Sequence, residues 1–357
     1  MRTDPLAAAL AAPERLARQS TREWEWLIGH ARTARLIARL ALRIDECCGL
    51  DTVPPGPRRH LAWALCEWEA QVRTLRWDVD FIGRALERVD TPVVLLKGAA
   101  YVMAGLPPAR GRLFADIDIM VRRDRIGEVE QALLVTGWAD HALDAYDQRY
   151  YRTWMHEIPP LQHIQRNSEL DVHHAIAPLT ARHYVASELL FPAARKLDLR
   201  GNFFVLAPAD MLLHSIIHLM QEGEFDHALR DLLDIDDLFR HFGRDPAFWP
   251  ALAQRAEQHR LGRPLYYAVR QARAFLDTPM PEDFLAAIAR FRPNPASGAI
   301  MDAVFGAGMA TESPDGQRGF ADFSRWLLYV RGHYMRMPLR LLLPHLMRKG
   351  WRRGTAR

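Results

Sequence analysis

The chain has 357 residues, 49% apolar and 25% charged, a mix that excludes compositional disorder and gives length for two or three domains at roughly 100 to 200 residues each. Its net charge of +4, from 47 basic and 43 acidic residues, is too mild to mark a nucleic-acid binder without clustering. The three cysteines, Cys47, Cys48 and Cys66, are odd in number and lack paired CxxC spacing, which argues against a disulfide framework or structural zinc and for a reducing cytoplasm.

Met1 to Ala12 is small and apolar, but Asp4 and Pro5 stand where a secretory leader carries basic residues. No apolar run reaches the roughly 18 residues of a membrane span, so the expectation is a cytoplasmic protein. Leu16, Trp24, Leu27, Leu36, Leu40 and Ile44 recur at helical spacing and predict helix from Pro13 to Leu50. Thr52-Val-Pro-Pro-Gly-Pro57 breaks that pattern, because prolines lack the backbone donor and glycine frees the chain. A second long helix is predicted from Arg59 to Arg88, packing Trp63, Cys66, Val72, Leu75, Phe81 and Leu86 against a neighbour. Residues 1–90 thus read as a helical N-terminal region.

The character changes at Thr91. Val93-Val-Leu-Leu96 has the form of a buried strand. A short helix (Ala99 to Ala104) and a loop rich in glycine, proline and arginine (Gly105 to Arg112) follow, then an alternating strand from Phe114 to Val121 and a helix from Arg125 to Val135. Glu169 to Ala175 and Asn202 to Leu206 are further strand candidates. This order predicts an α+β protein: a small mixed sheet over residues 91–206, flanked by helices. Residues 207–357 read as a C-terminal helical domain with a basic tail.

Chemistry concentrates in Ala115-Asp-Ile-Asp-Ile-Met-Val121. Alternation along a strand puts Asp116 and Asp118 on one face, about 7 Å apart, with Ile117 and Ile119 turned to the core. Two such carboxylates repel unless a cation joins them, and hard oxygen ligands select Mg2+ or Mn2+. Alone, the pattern more often describes a half-buried strand with an acidic face. Upstream, Leu95-Leu-Lys-Gly-Ala-Ala100 runs a strand through Gly98 into a helix start, where backbone N–H groups can cradle phosphate. Lys97, Arg110 and Arg112 add positive charge nearby. Downstream, Glu169-Leu-Asp-Val-His-His174 sets Glu169, Asp171 and His173 on one face. If the two strands are neighbours, Asp171 completes a three-carboxylate cluster.

The ordered set Leu-Lys-Gly, Arg…Asp-Ile-Asp and Asp-Val-His resembles the uncharacterised nucleotidyltransferases of the polymerase-beta-like superfamily. Further matches lie at Gly137-Trp138, in Ala207-Pro-Ala-Asp210…His214…His218 and in Leu229-Arg-Asp-Leu-Leu-Asp-Ile235. The resemblance covers about residues 60–245. It implies transfer of a nucleoside monophosphate from an NTP, ATP among the candidates, to an acceptor. Asp116 and Asp118 would bridge two magnesium ions, Asp171 would serve the metal on the acceptor side, and Gly98 would let the backbone approach the triphosphate. Ala99 departs from the serine or glycine usual at that place, which removes a hydroxyl contact to phosphate.

His156, His163, His173, His174 and His183 crowd one region, but no pair among them has the i, i+4 spacing of a helical zinc motif. His214 and His218 do have it, without the glutamate of such a motif, and read as packing or support for the site. Asp231, Asp234 and Asp237 form either a solvated helix face, with Arg230 reaching Asp234, or a surface docked on the catalytic strands. Two other readings stay open: a nucleotide- or partner-binding module without turnover, and a sugar-nucleotide glycosyltransferase using DxD. The acceptor is a small molecule, a protein or RNA, with nothing to select among them. Finally, Arg336, Arg340, Arg348, Lys349, Arg352 and Arg353 surround leucines and Trp351. They read as a packed last helix, or as a weak peripheral contact with an anionic membrane surface.

Overall fold

The computed structural model describes residues 4–140, 145–221, 225, 227–310 and 318–338. Its strands are Val93–Leu95 (β1), Ile117–Met120 (β2), Trp138–Asp140 (β3), Leu161–His163 (β4), Glu169–His173 (β5), Arg195–Lys196 (β6) and Phe203–Val205 (β7). They form one mixed sheet in the order β3-β4-β5-β2-β1-β7-β6. β2 lies at its centre, antiparallel to β1 and parallel to β5. All four β2 residues are buried, so its charged residue must find partners inside the protein.

Helices flank the sheet, giving the α+β architecture expected. One apolar core joins Val94, Ile119 and Val172 to the helix Pro208–Gln221 and onward to Leu328. A second core gathers Leu6, Trp24, Leu40 and Leu61 of the N-terminal helices against Leu229 and Leu233 of the helix Ala228–Phe242. Among the described residues no helix is long and apolar enough to cross a membrane.

The N-terminal helices differ from expectation in instructive ways. The predicted helix Pro13 to Leu50 is three pieces: a 3-10 turn Pro13–Arg18 and helices Thr21–Thr33 and Ile37–Cys48. Ser20 and Glu23 cap the second piece reciprocally, which satisfies two otherwise orphaned donors. Arg35, at φ 55°, separates the second from the third. The next helix, Pro55–Ala85, starts inside the proline-rich breaker, since proline fits the first helical turn, where no donor is needed. Its buried stripe is Leu61, Ala64, Leu75, Asp78, Val79 and Ile82, whereas Trp63, Cys66 and Phe81 are exposed. Composition had assigned the aromatics to the packed face; the 3.6-residue period assigns them outward.

Helix Lys97–Met103 begins two residues before the predicted start. β3, β4 and β6 were not predicted, being two or three residues long and partly polar. The start of the basic tail docks: the Arg336 carbonyl accepts a hydrogen bond from the Thr180 hydroxyl at 2.8 Å. Arg340, Arg348, Lys349, Trp351, Arg352 and Arg353, on which the membrane reading rests, lie outside the described residues.

Candidate active site

β1 ends at the junction that builds the site. The Leu96 N–H donates to the Asp118 carbonyl at 3.0 Å, so the chain leaving β1 stays fastened to β2. Lys97 then takes a left-handed backbone, φ 41°, a conformation that costs about 1–3 kcal/mol in a non-glycine residue and persists only where neighbours enforce it. Its ammonium reaches Asp118 Oδ1 at 3.4 Å. Gly98 follows, and a Cβ there would stand 2.7 Å from the Phe114 ring, so only glycine fits without displacement.

Parallel pairing sets Asp118 of β2 directly beside Asp171 of β5. Neighbouring strands lie about 4.8 Å apart, so the two carboxylates share one face. His173, two residues along β5, donates from Nε2 to Asp118 Oδ1 at 2.9 Å. Asp118 is therefore buried, 4% exposed, between a lysine and a histidine. Asp116 sits just before β2 and is exposed.

The electrostatics follow from these neighbours. Burial pushes the Asp118 carboxyl up, but Lys97 and the His173 hydrogen bond outweigh it and hold the group well below the usual carboxylate range. Asp171 goes the other way: burial, then the Asp118 and Glu157 charges, push it up to about 7. Although its surface is exposed, Asp116 is also raised, first by desolvation at the cavity wall and then by the Asp118 charge. Burial alone would lower His173; its hydrogen bond to Asp118 and the Glu157 charge prevail and raise it.

Two cavities meet at Asp118. The first, about 320 Å³, is lined by Asp116, Gly98, Arg35, Arg112, Arg230 and Asp231 among others. The second, about 170 Å³, is lined by Asp171, His156, Glu157, His173, Gln221 and Arg336 among others. Lys97, Asp118 and His218 line both, forming the wall between them. Ligating atoms of Asp118, Asp171 and His173 lie within 4.8 Å of one another, as do those of His156, Glu157 and His173. Asp116 belongs to neither group.

Thus Asp116, Asp118, Lys97, Gly98 and Arg112 come together at the first cavity, and Asp171 faces the second. Two predicted contacts do not join them. Arg110 is exposed and pairs with Glu46 of the helix Ile37–Cys48. Ala99 is 1% exposed, packed in the sheet core. Arg112, although at the cavity, donates from Nε to Asp234 Oδ2 at 2.7 Å. Arg39 meets the same aspartate at 3.1 Å and Asp237 at 3.1 Å. The Asp231–Asp237 helix face is therefore docked, not solvated, and Arg230 pairs with Asp231 at 2.7 Å in place of Asp234.

Sequence reasoning missed Arg35, Glu157 and the wall position of His218. Arg35 reaches the cavity through a helix break that contains neither glycine nor proline, and so had no signal. His214 is buried and held neutral, its pKa pushed well down by burial and by Lys97, which fits the packing role expected.

Against known proteins, a family model described as uncharacterised nucleotidyltransferase matches residues 20–277. No curated protein and no solved structure matches the chain.

Proposed function

The chain belongs to this family of uncharacterised nucleotidyltransferases, and from that premise we propose that it moves a nucleoside monophosphate from an NTP to an acceptor nucleophile, releasing pyrophosphate in a Mg2+- or Mn2+-dependent reaction. The donor set fits a hard divalent cation: three carboxylates, of which Asp116 and Asp171 are raised by desolvation and by neighbouring negative charge that a cation would offset. Asp116, Asp118 and Asp171 would hold it. What such a cation supplies when bound is neutralisation of charge on the phosphates.

The chain's own residues divide the remaining work between the cavities. In the first, Lys97 and Arg35 bind the triphosphate, while Arg112, fixed by Asp234, adds field from the wall. The acceptor enters the second cavity beside Asp171. Its oxygen or other nucleophile bonds to the α-phosphorus, the α–β bridge breaks, pyrophosphate leaves, and the acceptor proton passes to Asp171.

One observation carries this reading. Asp118 lines both cavities and sits in register with Asp171 on the adjacent parallel strand, so donor and acceptor would meet across one carboxylate pair. Ala99 favours the non-catalytic alternative less than its sequence implied, because its side chain packs inward.

The test is pyrophosphate release from each of the four NTPs with Mg2+, in extract as acceptor source, for wild type and Asp118→Asn. Release that falls at least about a hundredfold in the variant supports the reading; even outer ligands of metal sites cost ten- to a hundredfold. Tight Mg-NTP binding with no release from wild type would make the chain a binding module instead.

A further inference from the structure

The second cavity contains a side-chain cluster that nucleotidyl transfer does not use. Glu157 and His173 form an antiparallel bridge. The same short ladder continues through the Ile158 N–H to the Val172 carbonyl at 3.0 Å and the His174 N–H to the His156 carbonyl at 2.7 Å. Backbone pairing therefore brings His156, Glu157 and His173 side by side. Their ligating atoms lie within 4.8 Å of one another, and the two imidazole centroids are 5.0 Å apart.

Both rings bury Nδ1 without a hydrogen-bond partner. Glu157 Oε2 is 3.3 Å from His173 Nδ1, close enough for attraction but not in hydrogen-bonding geometry. Buried polar atoms in native proteins almost always find partners, so the orphaned His173 Nδ1 beside a carboxylate calls for one, and the His156 ring turns its Nε2 to the same Glu157 oxygen at 3.8 Å. The far side of His173 is already arranged: its Nε2 donates to Asp118 Oδ1 at 2.9 Å. Metal-bound imidazoles are oriented in this way, by a carboxylate on the second nitrogen.

We propose that His156, Glu157 and His173 form a second metal site, for a first-row transition cation such as Zn2+ or Co2+. Two imidazoles and one carboxylate favour such ions over Mg2+, which takes oxygen ligands and dehydrates reluctantly. Three protein ligands opening on a cavity of about 170 Å³ leave room for a fourth, non-protein ligand, the arrangement of reactive and not of purely structural zinc. The site does not depend on the nucleotidyl-transfer reading and is tested apart from it.

The experiment takes the full chain, strips it with chelator and titrates Co2+ by visible absorption and calorimetry. Wild type is expected to bind one Co2+ with ligand-field bands that Zn2+ displaces and excess Mg2+ does not. His156→Ala and Glu157→Gln should each weaken binding at least about tenfold, with circular dichroism unchanged. Asp171→Asn should leave the bands in place. Absence of bands in wild type overturns the proposal and makes His173 an imidazolium held between Glu157 and Asp118. Bands that survive both substitutions, or that Mg2+ or Asp171→Asn abolishes, place the ion among the aspartates and overturn it equally. Should His156→Ala fail to fold, the near-isosteric Glu157→Gln decides.

Discussion

Asp171 links the proposed chemistry to something measurable without substrate. Its carboxyl titrates at about 7 in the folded chain against 3.8 as an ordinary aspartate. Between those values the folded state holds a proton that the unfolded state has released, so stability falls as pH rises. Stability from this group is fully present below about pH 4 and is lost by the time pH passes 7. A gap of roughly three pH units at about 1.4 kcal/mol each amounts to about 4 kcal/mol. Asp171→Asn removes the titration, so in chelator it should be more stable than wild type at pH 8 by up to about 4 kcal/mol, less whatever packing the amide disturbs. The advantage should vanish near pH 4. His173 is raised and contributes with the same sign above its ordinary value, while His156 and His214 are lowered and oppose it. For that reason the informative quantity is wild type minus variant, measured by urea unfolding with tryptophan fluorescence at half-unit pH steps. Mg2+ should restore wild-type stability at pH 8 and leave the variant nearly unmoved, because a cation on the carboxylates removes the repulsion. A flat difference across pH 4 to 7 would refute the assignment of Asp171 to a charge-crowded, cation-seeking site.

Other expectations follow from the same geometry. Lys97→Ala removes the cation that faces both cavities and should raise the apparent NTP KM roughly ten- to a hundredfold, the value of a charge-assisted phosphate contact; steady-state pyrophosphate kinetics check this. Arg112→Ala should act first on stability, by about 3 kcal/mol, because it strips one of two guanidinium partners from Asp234, which is 2% exposed; chemical unfolding measures it. Gly98→Ala should lower Tm and nucleotide affinity together, since the new Cβ meets Phe114 at 2.7 Å and overpacking costs about 1–3 kcal/mol; thermal unfolding with and without Mg-NTP reads both.

The parts of this molecule legible in its sequence are those written in short stretches. β1, β2, β5 and β7 each follow from a local apolar or alternating run, and alternation put Asp118 and Asp171 on faces that the β2–β5 pairing, which no local rule supplies, brings together. What escaped is what distant segments decide together. Arg112 was read as a free cation, yet its partner lies 122 positions away on the helix Ala228–Phe242. Helical spacing of its aspartates left that helix face either solvated or docked; the approach of Arg39 from the N-terminal helices, with Arg112, makes Asp234 a buried partner of arginine and Asp237 a half-buried one. Arg39, Asp234 and Arg112 thus fasten three regions of chain at the edge of the first cavity. Removing any one member would leave buried charge less fully compensated, so the site's walls are set by the same ion network that closes the fold.

The histidines make the point most sharply. Helical i, i+4 spacing was the wrong template for them, since His156 and His173 are neighbours through a bridge between two extended segments. In a sheet, ligand spacing along the chain carries no information once the connecting loop is free to vary. The rule that does apply is register: a ligand on β5 selects its partner from whichever residue pairs across from it, here Glu157. Because β5 also presents Asp171 and pairs with β2 at Asp118, one strand supplies a residue to each metal-competent cluster. His173 belongs to both, with Nε2 turned to Asp118 and Nδ1 toward Glu157.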